Sequence, residues 1–284
     1  SRYADKHNSS IRFIGIPKTI DNDLVLTDHT PGYGSAAKYV ASTVREICLD
    51  ASVYQTPAVT IVEIMGRHAG WLTAASCLAR ANGAKGPDFI YLCEVPFSID
   101  TFLKDVKAKL EEQDAVIIAV SEGVKNKDGR YISEEVQSSA VDSFGHSYIA
   151  GAAKVLEDAV RNEIGCKVRS IELNLMQRCA AHLASATDIQ ESRMLGKAAC
   201  QYALEGAGGM MAAVIRTSDK PYATEFKALP VCDIANAIKS VPADYINNAG
   251  NDVTEKMVDY LTPLIQGEMN TVYENGIPKY IYLY

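Results

Sequence analysis

A short polar stretch carries the side chains that are best suited to chemistry in this sequence. Within six residues it supplies an ammonium, a hydroxyl, a carboxylate, an amide and a second carboxylate, in the order Lys18, Thr19, Asp21, Asn22 and Asp23. One carboxylate could accept a proton from a hydroxyl and the other could hold a divalent cation, while the lysine meets phosphate oxygens. The set favours a site for a phosphate compound with a metal ion, although Asn and Asp are also typical of a solvated polar turn.

The elements around this stretch predict an α/β protein. Residues 11–14 are β-branched and aromatic and predict a strand that ends near Pro17, because proline cannot donate to a sheet ladder. The polar stretch would then lie outside the carboxyl end of a strand, where open α/β sheets bind ligands. Strands and helices alternate along the rest of the chain, which predicts parallel, doubly wound sheets. We expect strands at 59–65, 89–93, 115–120, 167–173 and 210–215. We expect helices at 36–50, with Ser35 as N-cap, at 99–112, 187–204, 231–239 and 253–265. Another helix should run from after Trp71 to about 81, another should begin at about 149, and a hairpin should lie within 272–284.

Composition excludes several functional classes. The 284 residues carry a formal net charge of −7 without a block of Lys and Arg, which argues against a nucleic-acid partner. No apolar run approaches the roughly 18–20 residues that a membrane span needs, so we expect no membrane partner. Seven cysteines without C-x-x-C spacing, most of them in apolar surroundings, favour reduced core thiols in a cytoplasmic protein.

The polar stretch, read as Lys-Thr-Ile-Asp-Asn-Asp, resembles a signature of the phosphofructokinase family. Three further motifs follow in that family's order, namely Met65-Gly66-Arg67, Ser121-Glu122-Gly123 and Gln177-Arg178. The resemblance covers nearly the whole chain, and several spaced motifs in order are far more specific than any one of them. It implies two doubly wound, Rossmann-like α/β domains of the phosphofructokinase fold, with the first domain incomplete and a substrate cleft between the two.

The resemblance also implies a division of the chain into domains. Residues 1–32 and 177–226 would belong to a phosphoryl-donor domain, and residues 33–176 would form the sugar-phosphate-binding domain. Residues 227–284 would return across the domains. The family's Gly-rich phosphate loop is not found, so we expect the sequence to begin part-way through the donor domain.

The activity that the resemblance implies is a phosphotransfer of glycolysis, from a donor to the 1-hydroxyl of fructose 6-phosphate with Mg²⁺ as cofactor. Asp21 would be the general base, Asp23 the metal-side carboxylate, and Thr19 would hydrogen-bond the reacting groups. Lys18 and residues 27–38 resemble the pyrophosphate-using branch of the family, which places Lys18 on the donor phosphate. Two alternatives stay open: an ATP-dependent 6-phosphofructokinase, and a non-catalytic subunit that only binds a sugar phosphate.

The Met-Gly-Arg and Ser-Glu-Gly motifs would form the sugar side of the site. By resemblance, the main chain at Met65 and Gly66 contacts the sugar, because a glycine lets the backbone approach a ligand closely. Arg67 would offset charge at the transferring group, and its guanidinium fork suits phosphate oxygens. Glu122 would bind sugar hydroxyls.

Two arginines would hold the 6-phosphate of the sugar. Arg178 matches an arginine of the same chain, whereas Arg169 matches one that reaches in from a neighbouring subunit, so the resemblance implies a homo-oligomer with shared active sites. The sequence departs from the bacterial ATP-dependent enzymes at Ala58 and Leu175, where those enzymes carry an arginine and a histidine. The phosphate pocket is therefore expected to be built differently there.

Overall fold

The structure is a computed structural model that describes residues 1–53, 55–135 and 151–281. The helices are α1 Arg2–Lys6, α2 Tyr33–Ala51, α3 Trp71–Ala74, α4 Ile99–Glu112, α5 Ala152–Glu163, α6 Met176–Cys179, α7 Ala186–Leu204 and α8 Glu255–Leu261. The strands are β1 Ile14–Gly15, β2 Ala58–Ile64, β3 Phe89–Tyr91, β4 Ala115–Ser121, β5 Lys167–Glu172, β6 Met210–Asp219, β7 Tyr222–Pro230, β8 Tyr273–Glu274 and β9 Ile277–Pro278. Short 3₁₀ helices cover Ala75–Gly83, Ile132–Glu135, Ala181–Leu183, Val231–Asp233, Ala243–Tyr245 and Thr262–Ile265.

The chain divides into two compact units. Unit 1 comprises residues 1–38, 178–239 and 259–284, and unit 2 comprises residues 39–177 and 240–258. The polar loop at Lys18 belongs to unit 1, whereas the Met-Gly-Arg and Ser-Glu-Gly motifs belong to unit 2. The assignment of one unit to the phosphoryl donor and the other to the sugar phosphate stays a prediction.

Unit 2 is built on a four-stranded sheet of order β3-β4-β2-β5, in which every neighbouring pair is parallel. All residues of β2 from Val59 to Ile64 are buried, so both faces of this central strand are covered, as its continuous β-branched sequence predicts. Phe102 and Val106 of α4, together with Leu156 of α5, pack into the apolar core on one face of the sheet.

The register of this sheet brings three strand ends side by side. Ile64 of β2 pairs with Ser121 of β4, and Glu63 pairs with Glu172 of β5. Glu63 is buried and accepts the backbone N–H groups of Gly151 and Ala153 over 3.1 and 2.7 Å, so its carboxylate caps the N-terminus of α5. The segments that follow β2, β4 and β5 therefore leave the sheet at the same edge, which the carboxyl ends of these strands form.

Unit 1 contains a three-stranded sheet of order β1-β6-β7, parallel between β1 and β6 and antiparallel between β6 and β7. Alternate residues of β6 face opposite ways. Ala212 and Val214 pack against Leu195 and Ala199 of α7, whereas the other face of the strand packs against Ile234.

Three element predictions for unit 1 are wrong in detail. The strand expected at 11–14 is reduced to Ile14–Gly15. Residues 231–239 form one 3₁₀ turn and then irregular chain, because Asn236 adopts a left-handed φ of +64°. Strand β7 was not predicted, although polar and apolar residues alternate over 225–228, and it makes the sheet of unit 1 mixed rather than parallel.

Two helix predictions also need correction. Helix α2 begins at Tyr33, so Ser35 lies inside it and is not its N-cap; the Ser35 hydroxyl instead donates to Asp188 Oδ2 over 2.5 Å. The segment after Trp71 is α-helical only as far as Ala74 and continues as a 3₁₀ helix, which a left-handed Asn82 ends. Residue 149, the expected start of another helix, lies outside the described residues.

Other predictions are confirmed. Helix α4 spans Ile99–Glu112 as predicted, and the Ser98 hydroxyl accepts the Thr101 backbone N–H as its N-cap. The tail forms the expected hairpin, with Asn275 and Gly276 both at positive φ between β8 and β9.

The cysteines depart from the compositional expectation. All seven cysteines are free thiols, but Cys48 and Cys77 are the two that are buried, and Cys179, Cys200 and Cys232 are exposed. The expectation that most of them are core thiols is therefore wrong. Among the described residues, no helix combines the length and the apolar character needed to cross a bilayer.

Candidate active site

The polar loop 18–23 of unit 1 follows β1 and folds back on itself. The backbone N–H of Asp21 donates to Thr19 Oγ1 over 3.1 Å, and the Thr30 hydroxyl donates to the carbonyl oxygen of Thr19 over 2.7 Å. Lys18 is exposed, while Asp21 and Asp23 are half-buried. The loop thus presents an ammonium and two carboxylates on a constrained backbone, and Thr19 keeps its own hydroxyl hydrogen for donation.

Asn22 anchors this loop from the inside. It is fully buried and adopts a left-handed φ of +56°, which asparagine tolerates better than most residues. Its side-chain Nδ2 donates to the Tyr260 hydroxyl over 2.9 Å, and its Oδ1 accepts from Lys239 Nζ over 3.0 Å. Since Asn22 lies between Asp21 and Asp23, its side-chain bonds fix the backbone that carries both carboxylates.

Lys239 makes further hydrogen bonds to the same part of the chain. Its Nζ donates to the carbonyl oxygens of Thr27 and Asp28 over 3.1 and 2.7 Å, and its backbone N–H donates to the carbonyl oxygen of Asp23 over 2.7 Å. Burial lowers the pKa of Lys239 to about 8, although the carboxylates of Asp28 and Asp23 act in the opposite direction. Lys239 therefore binds the chain after β1 at two places, at residues 22–23 and at residues 27–28.

A buried charge network lies directly beyond this loop. His29 places Nδ1 2.8 Å from Asp28 Oδ2 and Nε2 2.7 Å from Glu191 Oε2. Arg216 donates to Asp28 Oδ2 over 3.0 Å from its terminal nitrogen, and the Tyr222 hydroxyl donates to Glu191 Oε1 over 2.8 Å. The network joins the loop to α7 and to both long strands of unit 1.

Burial and charge oppose each other in this network, and charge prevails. Burial alone would lower the pKa of His29, but the hydrogen bonds and charges of Asp28 and Glu191 outweigh it and raise that pKa above its usual range. Burial alone would raise the pKa values of the two carboxyls, but His29 and, for Asp28, the Arg216 guanidinium hold them below their usual range.

Gly32 brings the end of the loop close to Lys18. Its backbone N–H donates to Asp188 Oδ1 over 2.9 Å, which ties this point to α7. A Cβ added at Gly32 would lie 3.7 Å from Lys18 Cε, so the stem of the lysine runs beside the glycine. The exposed ammonium of Lys18 therefore extends from a defined position.

In unit 2 the ends of β2 and β4 pack backbone to backbone. The Ser121 hydroxyl donates to the Gly66 carbonyl oxygen over 2.6 Å, and the Gly66 N–H donates to Glu122 Oε1 over 3.3 Å. Gly66 has a φ of +137°, and a Cβ at Gly123 would collide with the Arg67 carbonyl oxygen. Both glycines are therefore required by geometry, and the two predicted motifs form one surface.

Two more side chains hold this surface from outside the predicted set. Gln177, just after β5, is buried and accepts the Met65 N–H at its Oε1 over 3.3 Å. Glu94, after β3, accepts the N–H groups of Gly70 and Val241 over 2.8 and 2.9 Å at the same oxygen. The structure thus gathers Met65, Gly66, Arg67 and Glu122 at the carboxyl ends of neighbouring strands, as their positions after strands predict.

Arg169, one of the two predicted phosphate arginines, lies away from this group within unit 2. Arg169 lies in the edge strand β5 opposite Thr60, so it is four residues, or roughly 13 Å, short of the level where β2 ends. It is exposed and lines a shallow cavity of about 220 Å³ with Glu46 and Asp50. Arg178 is exposed and belongs to unit 1.

The carboxylates of the polar loop are the candidate ligands for a metal ion in this unit. Within residues 1–53, 55–135 and 151–281, no three His, Cys, Asp or Glu side chains gather into a metal centre. Mg²⁺ commonly takes one or two protein carboxylates and fills its remaining positions with water and substrate phosphates. The half-buried carboxylates of Asp21 and Asp23 fit this pattern.

Sequence reasoning missed the residues that position the loop and the strand ends. Asn22 and Gln177 stood inside recognised motifs, yet nothing in the sequence separated them from their neighbours. Lys239 lies 217 positions after Asn22, in a stretch expected to be a helix, and carried no signal at all. Only its fold-dependent proximity to the loop reveals its role.

Comparison with known proteins places the chain in a class. The phosphofructokinase family model matches residues 2–203, and the chain belongs to this family. It is 40% identical to the pyrophosphate–fructose 6-phosphate 1-phosphotransferase of Xanthomonas campestris, an alignment that covers 100% of this chain and 68% of that protein. It is 38% identical to the protein of the same name from Halomonas elongata, over 98% of this chain and 66% of that protein.

A solved structure gives the same result for the fold. The crystal structure of the pyrophosphate-dependent phosphofructokinase from Nitrosospira multiformis superposes with a TM-score of 0.87 at 34% identity, covering 99% of this chain and 67% of that one. This confirms the α/β fold of the phosphofructokinases. The chain spans about two thirds of the length of the relatives it matches.

Proposed function

We propose that the protein is a pyrophosphate-dependent phosphofructokinase, an enzyme that transfers a phosphoryl group from pyrophosphate to the 1-hydroxyl of fructose 6-phosphate. The observation that carries the proposal is the loop 18–23, which presents Lys18, Asp21 and Asp23 on a braced backbone in a chain 40% identical to an enzyme named for this reaction. Fructose 1,6-bisphosphate and phosphate would be the products.

Asp21 is the proposed general base. Its carboxylate accepts the proton of the sugar 1-hydroxyl as that oxygen forms a bond to phosphorus and the bond to the leaving phosphate breaks. Phosphoryl transfer needs positioning and charge neutralisation more than covalent work by the protein. Mg²⁺ would be held by Asp23 and would supply neutralisation of phosphate charge, while Thr19 donates its hydroxyl hydrogen to an oxygen of the reacting groups.

Lys18 is the proposed determinant for pyrophosphate. Its compact ammonium suits a small and highly charged donor as a point charge, and its exposed position beside Gly32 leaves it accessible. Both named relatives described above use pyrophosphate by name, which supports this donor over ATP.

The surface at the ends of β2 and β4 is the proposed sugar-binding element. The main chain at Met65 and Gly66 and the carboxylate of Glu122 would contact the sugar, and Arg67 would offset charge on the transferring group. Arg178 would bind the 6-phosphate. The distance of Arg169 from the strand ends of its own unit supports a role in a neighbouring subunit's site, and hence a homo-oligomer. We also propose a cytoplasmic location, with which seven free thiols agree.

A donor assay tests the proposal directly. The purified protein is incubated with fructose 6-phosphate, Mg²⁺ and either pyrophosphate or ATP, and fructose 1,6-bisphosphate is measured with a coupled aldolase assay. Turnover with pyrophosphate and little with ATP is expected. Activity with ATP alone would overturn the donor assignment, and binding of fructose 6-phosphate without turnover on either donor would instead indicate a non-catalytic subunit.

A further inference from the structure

Lys239 donates hydrogen bonds to four residues of the chain that follows β1, namely Asn22, Asp23, Thr27 and Asp28. An ammonium has three hydrogens to donate. In Lys239 they meet three protein oxygens: Oδ1 of Asn22 at 3.0 Å and the carbonyl oxygens of Thr27 and Asp28 at 3.1 and 2.7 Å. The donor capacity of this ammonium is therefore used within unit 1, which argues against a role as a phosphate ligand like the one proposed for Lys18.

The backbone at Lys239 reinforces the same connection. Its N–H donates to the Asp23 carbonyl oxygen over 2.7 Å, and Ile238 forms an isolated antiparallel bridge with Leu24. The segment 238–239 therefore pairs with residues 23–24 in the manner of a short antiparallel strand. Together, the side chain and the backbone of Lys239 contact the chain on both sides of residues 24–26.

Asn22 receives a second support that is consistent with the first. The Tyr260 hydroxyl accepts from Asn22 Nδ2 over 2.9 Å and donates to the Asp28 carbonyl oxygen over 2.7 Å. Because Lys239 can only donate, the amide oxygen of Asn22 must face the lysine and its nitrogen must face the tyrosine. Every polar atom of the buried amide therefore has a defined partner, and its orientation is fixed.

Burying an ammonium is unfavourable unless its charge and its donors are satisfied, so a surface turn would gain little from such a residue. We propose that Lys239 is a positioning residue of the phosphoryl-transfer reaction: by holding Asn22 it fixes the backbone that carries the Asp21 carboxylate on one side and Asp23 on the other. This inference rests on the proposed function, and it adds a residue to the site that lies far from its sequence motifs.

The test is a mutant cycle on kcat and KM. Lys239→Met keeps the length of the side chain and removes its donors, and kcat should fall about 10- to 100-fold because a misplacement near 1 Å can cost that much. The KM for fructose 6-phosphate should change less than about threefold, since its proposed ligands lie elsewhere. In an Asp21→Asn background the same change should lower kcat by a smaller factor, because only the placement of Asp23 is then left to lose. Lys220→Met, at a lysine whose side chain is 81% exposed, is the matched control and should retain parental kcat.

A second variant covers the case in which Lys239→Met does not fold. Asn22→Gly removes the amide while tolerating the left-handed backbone, and it should reproduce the fall in kcat. If Asp21→Asn is inactive while Lys239→Met and Asn22→Gly both keep parental kcat, the positioning role is wrong and the proposed function stands. Near-parental turnover in Asp21→Asn would instead overturn the proposed base.

Hydrogen–deuterium exchange provides a readout that is independent of turnover. Peptides covering 18–30 should exchange faster in Lys239→Met and Asn22→Gly than in the parent and in Lys220→Met, whereas peptides from unit 2 should be unchanged. Unchanged exchange at 18–30 in both variants would overturn the positioning role even if the protein has no activity with either donor.

Discussion

Nε2 of His29 lies 2.7 Å from Oε2 of Glu191, and both side chains are almost withdrawn from solvent. The other ring nitrogen faces Asp28 Oδ2 at 2.8 Å. Only an imidazolium can donate from both nitrogens at once, so the geometry requires a charged histidine between two carboxylates. This ion triad joins the chain just beyond the polar loop to α7.

The triad makes stability depend on pH with a definite sign. The pKa of His29 is raised, so its contribution is complete below its ordinary value of about 6.5 and is lost as pH rises through the raised value. The pKa values of Asp28 and Glu191 are lowered, so their contribution is lost only as pH falls through those lowered values. We expect His29→Gln to lower the free energy of unfolding by about 3 kcal/mol or more near pH 6 and by clearly less near pH 9.

Urea titrations of the parent and His29→Gln at pH 6 and pH 9 measure this difference. His182→Gln is the matched control, because His182 is exposed, and it should change stability little at either pH. An equal loss in His29→Gln at both pH values would show that His29 acts through packing rather than through its charge.

Gly123 allows the Ser-Glu-Gly motif to pack against the Arg67 backbone. A methyl group at this position would collide with the Arg67 carbonyl oxygen, and the collision involves backbone on both sides. We expect Gly123→Ala to displace Arg67 and Gly66 and to lower kcat/KM for fructose 6-phosphate by about 100-fold. Steady-state kinetics measure the effect. Gly196→Ala, where a Cβ meets open space within α7, is the control and should keep a kcat/KM close to the parental value. A parental kcat/KM in Gly123→Ala would refute this explanation of the motif.

The sequence predicted those parts of the protein whose signals are local. The β-branched run of β2 and the amphipathic helix α4 were predicted because their signals lie in neighbouring residues. The motif residues Met65, Gly66 and Arg67 were placed at a strand end for the same reason. The hydrogen bond from Lys239 to Asn22 was not foreseeable, because it joins positions 217 residues apart whose proximity exists only after the sheet of unit 1 has formed.

The failures at the elements of unit 1 have a similar cause. A helix was expected at 231–239, but the left-handed Asn236 and the bridge between Ile238 and Leu24 are incompatible with one. Strand β1 is held by only two register pairs with β6, so its extent depends on its neighbour more than on its own sequence.

Arg169 provides a test of the shared site. If it serves the sugar phosphate bound to a neighbouring subunit, Arg169→Ala should raise the KM for fructose 6-phosphate about 10-fold or more with a smaller change in kcat, because a hydrogen-bonded charge pair is lost in binding. Kinetics and sedimentation velocity are measured together. Lys167→Ala, two residues earlier on the same side of β5, is the control and should leave KM unchanged. A parental KM in Arg169→Ala, with the oligomer intact, would refute the shared site.

Lys18 should discriminate between donors. Lys18→Met removes the ammonium and keeps the stem that runs beside Gly32, so the fold should be retained. We expect kcat/KM for pyrophosphate to fall at least about 30-fold, the order expected for a lost charge-assisted hydrogen bond, while the KM for fructose 6-phosphate stays near parental. Lys220→Met controls for loss of a positive charge on the same unit. Equal losses for donor and sugar would indicate a general defect of the loop instead of a donor contact.

Asp21 is the residue on which the proposed chemistry depends most. Asp21→Asn keeps the shape of the side chain and the backbone N–H that donates to Thr19 Oγ1, but it removes the group that accepts a proton. Loss of a general base typically lowers turnover by about 10²–10⁴-fold, so kcat should fall by that factor, while calorimetric binding of fructose 6-phosphate and the melting temperature stay close to parental. Asp219→Asn, at a carboxylate that is 71% exposed on the same unit, should be fully active. If Asp21→Asn retains more than about a tenth of the parental kcat, the proton must leave by another route, since the lower bound for general-base help is already about 10²-fold.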